Sequence, residues 1–196
     1  RRALAITEQA LGPNHPDTGL RLNNLALLLQ DKGNLDAAEP LLYRACDIIK
    51  KAHGPDHPIF ANALQGYGVL LRSLGHYDEA LGNLNRALSI NEHNAGPESE
   101  RVASTLSAIG KLFELQGKYE DSSLSYMQAI TIRKNLVGPL HPNTATLYLR
   151  LGELELNHGT TTAAKEAFKK AWDAYEDAYG SDDEETVSAR KAYESC

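Results

Sequence analysis

Five glycines, Gly12, Gly54, Gly96, Gly138 and Gly180, recur every 42 residues from one end of the 196-residue chain to the other. A spacing that never slips marks one structural unit copied in tandem, so the chain has to be read as an array before any single residue is interpreted. Each copy in such an array touches mainly its neighbours. The array therefore extends a continuous surface instead of closing around a pocket, and its natural use is to hold another molecule. Length alone allows one or two globular domains, but the unbroken period argues for one elongated body over residues 1–196.

Aligned at this period, the chain resolves into columns. Pro13, Pro55, Pro97 and Pro139 follow the glycines; then come His15, His57, Ser99 and His141, and next Pro16, Pro58, Glu100 and Pro142. A second glycine column holds Gly33, Gly75, Gly117 and Gly159. Between these marks lie two segments per repeat, each of 16–19 residues, with apolar side chains at the three-and-four spacing of a helix. Leu22, Leu25, Ala26 and Leu29 make one stripe, and Ala38, Leu42, Ala45 and Ile49 the next. Ala45, Ala87, Ala129 and Ala171 form an unvaried column, and Ala26, Gly68, Gly110 and Gly152 a small-residue column, both suited to close helix approach.

The helix boundaries have local causes. Gly12 and its equivalents are expected to take the left-handed conformation that ends a helix. Pro16, Pro58 and Pro142 suit the first helical position, where a missing N–H is harmless. Ser99 supplies an N-cap where that proline is absent. The acids of 182–185 favour a helix start, so a closing helix is expected over 183–194. The array predicted is all-α: a leading helix at 1–11, four helix pairs at 16–53, 58–95, 99–137 and 142–179, and that closing helix.

Net charge is −6 and no Lys/Arg cluster occurs, which argues against nucleic acid and against an anionic membrane surface as partners. No stretch approaches the roughly 18 apolar residues of a membrane span, and no signal peptide is visible. The chain opens at Arg1 in what reads as mid-helix, as an excised piece of a longer protein would. An apolar face bared on residues 1–11 would then drive self-association of the fragment. Cys46 and Cys196 are too few for a disulfide framework and suit a reducing, cytoplasmic setting.

The column pattern resembles the tetratricopeptide repeat: large residues three apart with a small one beside them, then, after the turn, Ala, an aromatic or Leu, and Ala. Armadillo and HEAT arrays have similar periods but lack this placement of small residues. The common tetratricopeptide period is about 34 residues; the extra length lies in a longer second helix and its Gly-Pro-x-His-Pro linker. That variant looks like the repeats of kinesin light chain and nephrocystin. The match is closest in Leu22-Asn23-Asn24-Leu25-Ala26, in 38–45, and in Gly54-Pro55-Asp56-His57-Pro58, and it spans essentially the whole chain. The resemblance implies a right-handed α-solenoid of helix-turn-helix repeats whose first helices line a concave groove.

His15, His57 and His141 share a column, but stacked helices stand about 8–10 Å apart, whereas zinc draws its ligands within about 2.0–2.3 Å. These histidines are expected to be structural, with no metal. Cys46 shares its column with Leu88, Ile130 and Trp172, which places it, and Trp172, in the core. No nucleophile–base arrangement or phosphate-cradling loop is present, so no catalytic residue, no cofactor and no enzyme activity are expected.

The groove positions implied by the resemblance are Asn23, Asn24, Leu27 and Gln30, then Gln65, Val69 and Arg72, then Ser107, Lys111 and Glu114, and finally Arg150, Glu153 and Asn157. Asn23, Asn24, Leu27, Gln65, Val69, Arg72, Lys111 and Arg150 are the candidate peptide-binding set. Amides can pair with an extended backbone and guanidinium groups with carboxylates. The Asn-Asn pair occurs in the first repeat alone, so an asparagine ladder is not expected. The function implied is a non-catalytic scaffold or adaptor, kinesin light chain-like, that binds a peptide segment or helix of a partner protein. The alternative is a sensor or autoinhibitory module of a larger signalling protein. Capture of a chaperone's C-terminal carboxylate is disfavoured, because that mode in related repeats uses Lys and Asn, and the corresponding places here hold Asn23, Leu27, Gly66, Ser104 and Ala108, with no cation among them.

Overall fold

The computed structural model describes residues 2–196, Ala3 through its backbone only; Arg1, the first residue of the expected leading helix, lies outside the described residues. Ten α-helices and no strand occur among the described residues. They are α1 (Arg2–Leu11), α2 (Pro16–Asp31), α3 (Leu35–His53), α4 (Pro58–Ser73), α5 (Tyr77–Ala95), α6 (Glu100–Leu115), α7 (Tyr119–Val137), α8 (Pro142–Asn157), α9 (Thr161–Tyr179) and α10 (Glu184–Glu194). The chain is all-α and built of helix-turn-helix repeats, a 16-residue first helix paired with a 19-residue second one.

Each first helix starts on a side-chain cap. His57 Nδ1 accepts from the Ile59 N–H at 3.1 Å, His141 Nδ1 from Asn143 N–H at 3.1 Å and His15 Nδ1 from Asp17 N–H at 3.2 Å. Ser99 Oγ takes over this task in the repeat without the histidine, accepting from Val102 N–H at 3.4 Å, and Asp183 does so for α10. The column histidines are therefore helix caps, each satisfying an N–H that the helix itself leaves orphaned.

The tight turn inside a hairpin closes on a Schellman motif. At the end of α2, Asn34 N–H donates to Leu29 O at 2.8 Å and Gly33 N–H to Gln30 O at 2.8 Å, with Gly33 at φ +74. The glycine between hairpins behaves differently from the left-handed cap expected of it. Gly54 has φ 93 and ψ 165. Positive φ with extended ψ is a region essentially reserved for glycine, and it turns the chain out of α3 directly into the extended linker.

The helices gather into two compact units, one ending at Pro97 and the other beginning at Glu98. In the first, the α2–α3 and α4–α5 hairpins pack through α3 against α4, and α1 lies on α2. Its core joins Leu22, Ala45 and Ile48, with Leu4 beside them, to Ala26, Ala38, Leu42 and Leu70. A further cluster holds Cys46, Ile49, Phe60 and Leu64. In the second unit the α6–α7 and α8–α9 hairpins pack through α7 against α8, and α10 covers α9. Tyr126, Phe168, Leu112 and Leu147 are the large side chains buried there.

Within each hairpin the small-residue column faces a large one. A Cβ at Gly152 would lie 2.6 Å from the Phe168 ring, at Gly110 2.9 Å from the Tyr126 ring, and at Gly68 2.8 Å from Leu84 Cγ. In the first hairpin Ala26 packs in one cluster with the smaller Leu42. The alanine column is fully buried at Ala45, Ala87, Ala129 and Ala171. Arginines from second helices tie down the linkers: Arg44 donates to Pro13 O at 2.7 Å, Arg86 to Pro55 O at 3.0 Å, and Arg133 to Asn143 O at 2.9 Å.

Two core expectations need correction. Leu25 and Leu29 are only half-buried, because they lie at the edge of the α2 stripe. Trp172 is also half-buried. The smaller α10 covers it incompletely, with the Tyr193 ring 5.7 Å away and the Lys169 ammonium 4.7 Å over the indole.

Candidate binding surface

The candidate side chains divide between the units. Asn23, Asn24 and Leu27 lie on α2 and Gln65, Val69 and Arg72 on α4, in the unit that ends at Pro97; Lys111 lies on α6 and Arg150 on α8, in the other. Their helical phase turns them off the packing stripe, whose buried members on α2 are Leu22 and Ala26. Asn24 and Leu27 are exposed, and the rest are half-buried.

Within the first unit the structure brings two of the expected residues together over a glycine. A Cβ placed on Gly66 of α4 would meet Asn23 Oδ1 at 3.6 Å and Leu27 Cδ2 at 3.8 Å, an ordinary contact. Asn23 and Leu27 therefore overhang the backbone of the neighbouring first helix. Asn23 Oδ1 is removed from solvent there and has no hydrogen-bond partner, and the same holds for Gln30 Oε1 two turns further along the same face. A buried acceptor without a donor costs about 1–3 kcal/mol, so these two amides are reached by a guest N–H only when their side chains turn outward, whereas Asn24 and Leu27 stand exposed beside them.

The charges on these helices are less free than their positions suggest. Lys111 Nζ stands 2.6 Å from Glu114 Oε1, one turn on, and Glu114 also accepts from the Tyr126 hydroxyl at 3.1 Å. Lys111 belongs to the candidate set and Glu114 to the wider groove positions, and together they present no net charge. Arg150 has no ion-pair partner among the described residues. Sequence reading missed the cluster that joins α7 to α8. Tyr119 donates to Glu155 and stacks on His158 with centroids 3.5 Å apart, and Ser123 donates to Glu155 at 3.3 Å. The recurrence of Tyr77 and Tyr119 in one column was the available signal.

Protonation states point away from reactivity. Burial pushes the Cys46 thiol up to about 12, far from the thiolate that nucleophilic chemistry needs. Burial also raises the phenols of Tyr67, Tyr119 and Tyr175, with carboxylates adding to the effect. Among the described residues no group of three or more His, Cys, Asp or Glu side chains is placed to hold a metal ion. No described helix is long and apolar enough to cross a membrane.

The family model of the tetratricopeptide repeat matches residues 1–51, 20–93 and 101–177. Solved structures share the fold. BtubC (BKLC) from P. vanneervenii superimposes with a TM-score of 0.76 at 20% identity, over 100% of this chain and 82% of that one. A kinesin light chain-type protein of Podosopora anserina, built of nearly identical TPR-like repeats, gives 0.79 at 16% identity, over 91% of this chain and 85% of that one. The MamA protein gives 0.62 at 20% identity, over 91% and 83%. None of the curated proteins matches the sequence.

Proposed function

The chain belongs to the tetratricopeptide repeat family, whose repeats mediate protein–protein interactions, and from that premise we propose that it is a non-catalytic scaffold or adaptor that holds a peptide segment or helix of a partner protein on its first helices. The observation that carries this reading is the exposed pair Asn24 and Leu27 on α2, with Leu27 lying over Gly66 of α4 so that the two first helices present one surface. The Asn24 amide suits the N–H and C=O groups of an extended backbone, and Leu27 offers apolar contact beside it. Val69, Gln65 and Arg72 on α4 continue the same surface, and Arg72 supplies charge for carboxylates of the guest; in the other unit Arg150 on α8 is suited to the same task for a segment held there. The kinesin light chain-type relatives in fold support an adaptor role. Affinity is modest, because an ordered peptide loses conformational entropy on docking.

The test is a fluorescent peptide-library screen followed by titration of the best ligands. Asn24→Ala combined with Arg72→Glu should weaken them by about tenfold, the equivalent of about 1.4 kcal/mol. Unchanged affinity in that double variant removes the first-helix face of α2 and α4 from the site.

A further inference from the structure

On the opposite side of the hairpins from the candidate groove residues, a depression of about 390 Å³ opens between α7 and α9, floored by α8. Met127, Ile130, Leu151, Ala163 and Ala167 give it an apolar centre, bordered by Tyr148, Thr131 and charged side chains. Met127 is 51% exposed, so a flexible, polarizable side chain forms the lip. The same columns of the first unit are filled differently. Tyr43 and Tyr67 stand for Met127 and Leu151, with rings 6.5 Å apart in an edge contact, and Glu79 and Asn83 stand for Ala163 and Ala167. Two alanines on α9 thus hollow out a surface that α5 fills with Glu79 and Asn83.

The rim charges single out one member. Glu166 is paired with Lys170 at 2.7 Å, and that lysine also lies 5.7 Å over the Tyr148 ring. Glu155, on α8, accepts from Tyr119 and Ser123 and has no cation partner among the described residues. Lys134, on the last turn of α7, is exposed and has no partner among the described residues. The α7 edge of the hollow is therefore complementary to a large aliphatic side chain with a carboxylate next to it, and Glu155 turns that carboxylate away from the α8 side. The volume is at the small end for a ligand site, enough for one anchoring side chain and the adjoining backbone.

We propose that this α7–α9 hollow is a second docking site, distinct from the first-helix face, that takes a partner protein's peptide segment through a leucine-like anchor followed directly by an acidic residue. The anchor displaces water from the alanine wall of α9, Met127 closes over it, and the carboxylate meets Lys134.

The chain's single methionine makes the site readable, because Met127 gives one ε-methyl signal in ¹³C-methyl NMR. The probe is N-acetylated, C-amidated leucyl-aspartate, compared with the leucyl-asparagine isostere, alanyl-aspartate and octanoate. The expected result is a saturable Met127 shift in the low-millimolar range (about 1–10 mM) for leucyl-aspartate. Leucyl-asparagine should bind about two- to fivefold more weakly, as an exposed ion pair predicts, and alanyl-aspartate should leave the signal unmoved. Ala163→Leu should abolish the shift. Lys134→Gln, a surface change that leaves the core untouched, should erase the preference for aspartate over asparagine. Asn24→Ala with Arg72→Glu should change nothing, which separates this site from the groove. Lack of saturation, equal binding of the isostere, survival in Ala163→Leu of unchanged melting midpoint, or a response to octanoate but not to the dipeptide overturns the proposal.

Discussion

At the scale of single residues, the glycines of the first helices are not equivalent, and their neighbours say why. A methyl group on Gly152 would be driven to 2.6 Å from the Phe168 ring, whereas on Gly66 it would find ordinary contact at 3.6 Å. Gly152→Ala should therefore cost about 1–3 kcal/mol in urea denaturation, through overpacking. Gly66→Ala should be neutral or stabilising by up to about 1 kcal/mol, because it removes backbone freedom from a helix interior. Phe168→Leu, which restores the Ala–Leu pairing of the first hairpin, should recover part of the Gly152→Ala loss. Absence of any recovery would mean that the ring is not what the methyl group meets.

Cys46 supplies a second test at this scale. Its folded thiol is raised from near 9 to about 12 by burial. The stabilisation tied to the neutral thiol is fully present below the unfolded value and is lost as pH rises through the folded one. The native chain should lose stability between about pH 9 and pH 12 more steeply than Cys46→Ala, as read from urea midpoints across that window. Parallel pH profiles would contradict the burial of this thiol.

At the scale of helices, the linker histidine is the instructive case. The spacing alone showed that His15, His57 and His141 are structural; it did not show that their Nδ1 atoms cap α2, α4 and α8. The equivalence of histidine with Ser99 and Asp183 in that role implies that chemistry, not shape, is what the position requires. His57→Ser should keep the stability of α4, while His57→Ala should lose about 1 kcal/mol, the usual cost of an absent N-cap. Thermal melts of the two variants decide it, and equal melts would deny the cap any weight. Helix positions were legible because proline, glycine and the apolar period all changed at the same points. The conformation of Gly54 was not, since the residue type permits several positive-φ states and only the path of the following linker selects one.

At the scale of the whole molecule, the exposed apolar side chains Ile6 and Leu11 lie on α1, which packs against α2 and touches α3 through Leu4 and the Glu8–Arg44 ion pair. Burial of such a face between copies is favourable at about 25 cal/mol per Å² of apolar surface. The proposal that the chain self-associates through α1 predicts a light-scattering mass that rises above 21.4 kDa with concentration. Ile6→Lys together with Leu11→Lys should hold it at the monomer value. A mass that stays monomeric in the unaltered chain at high concentration dismisses the proposal.

The sequence by itself determined the helical class, the 42-residue repeat, the helix boundaries and the small-residue columns, because each depends on short-range chemistry repeated in register. Only the tertiary structure decided which polar groups remain unsatisfied and which charges cancel. It left Asn23 Oδ1 without a donor, bound Lys111 to Glu114, and opened a hollow over Ala163 and Ala167. Those outcomes turn on distances between side chains from different helices, and no column of residues, however regular, records a distance.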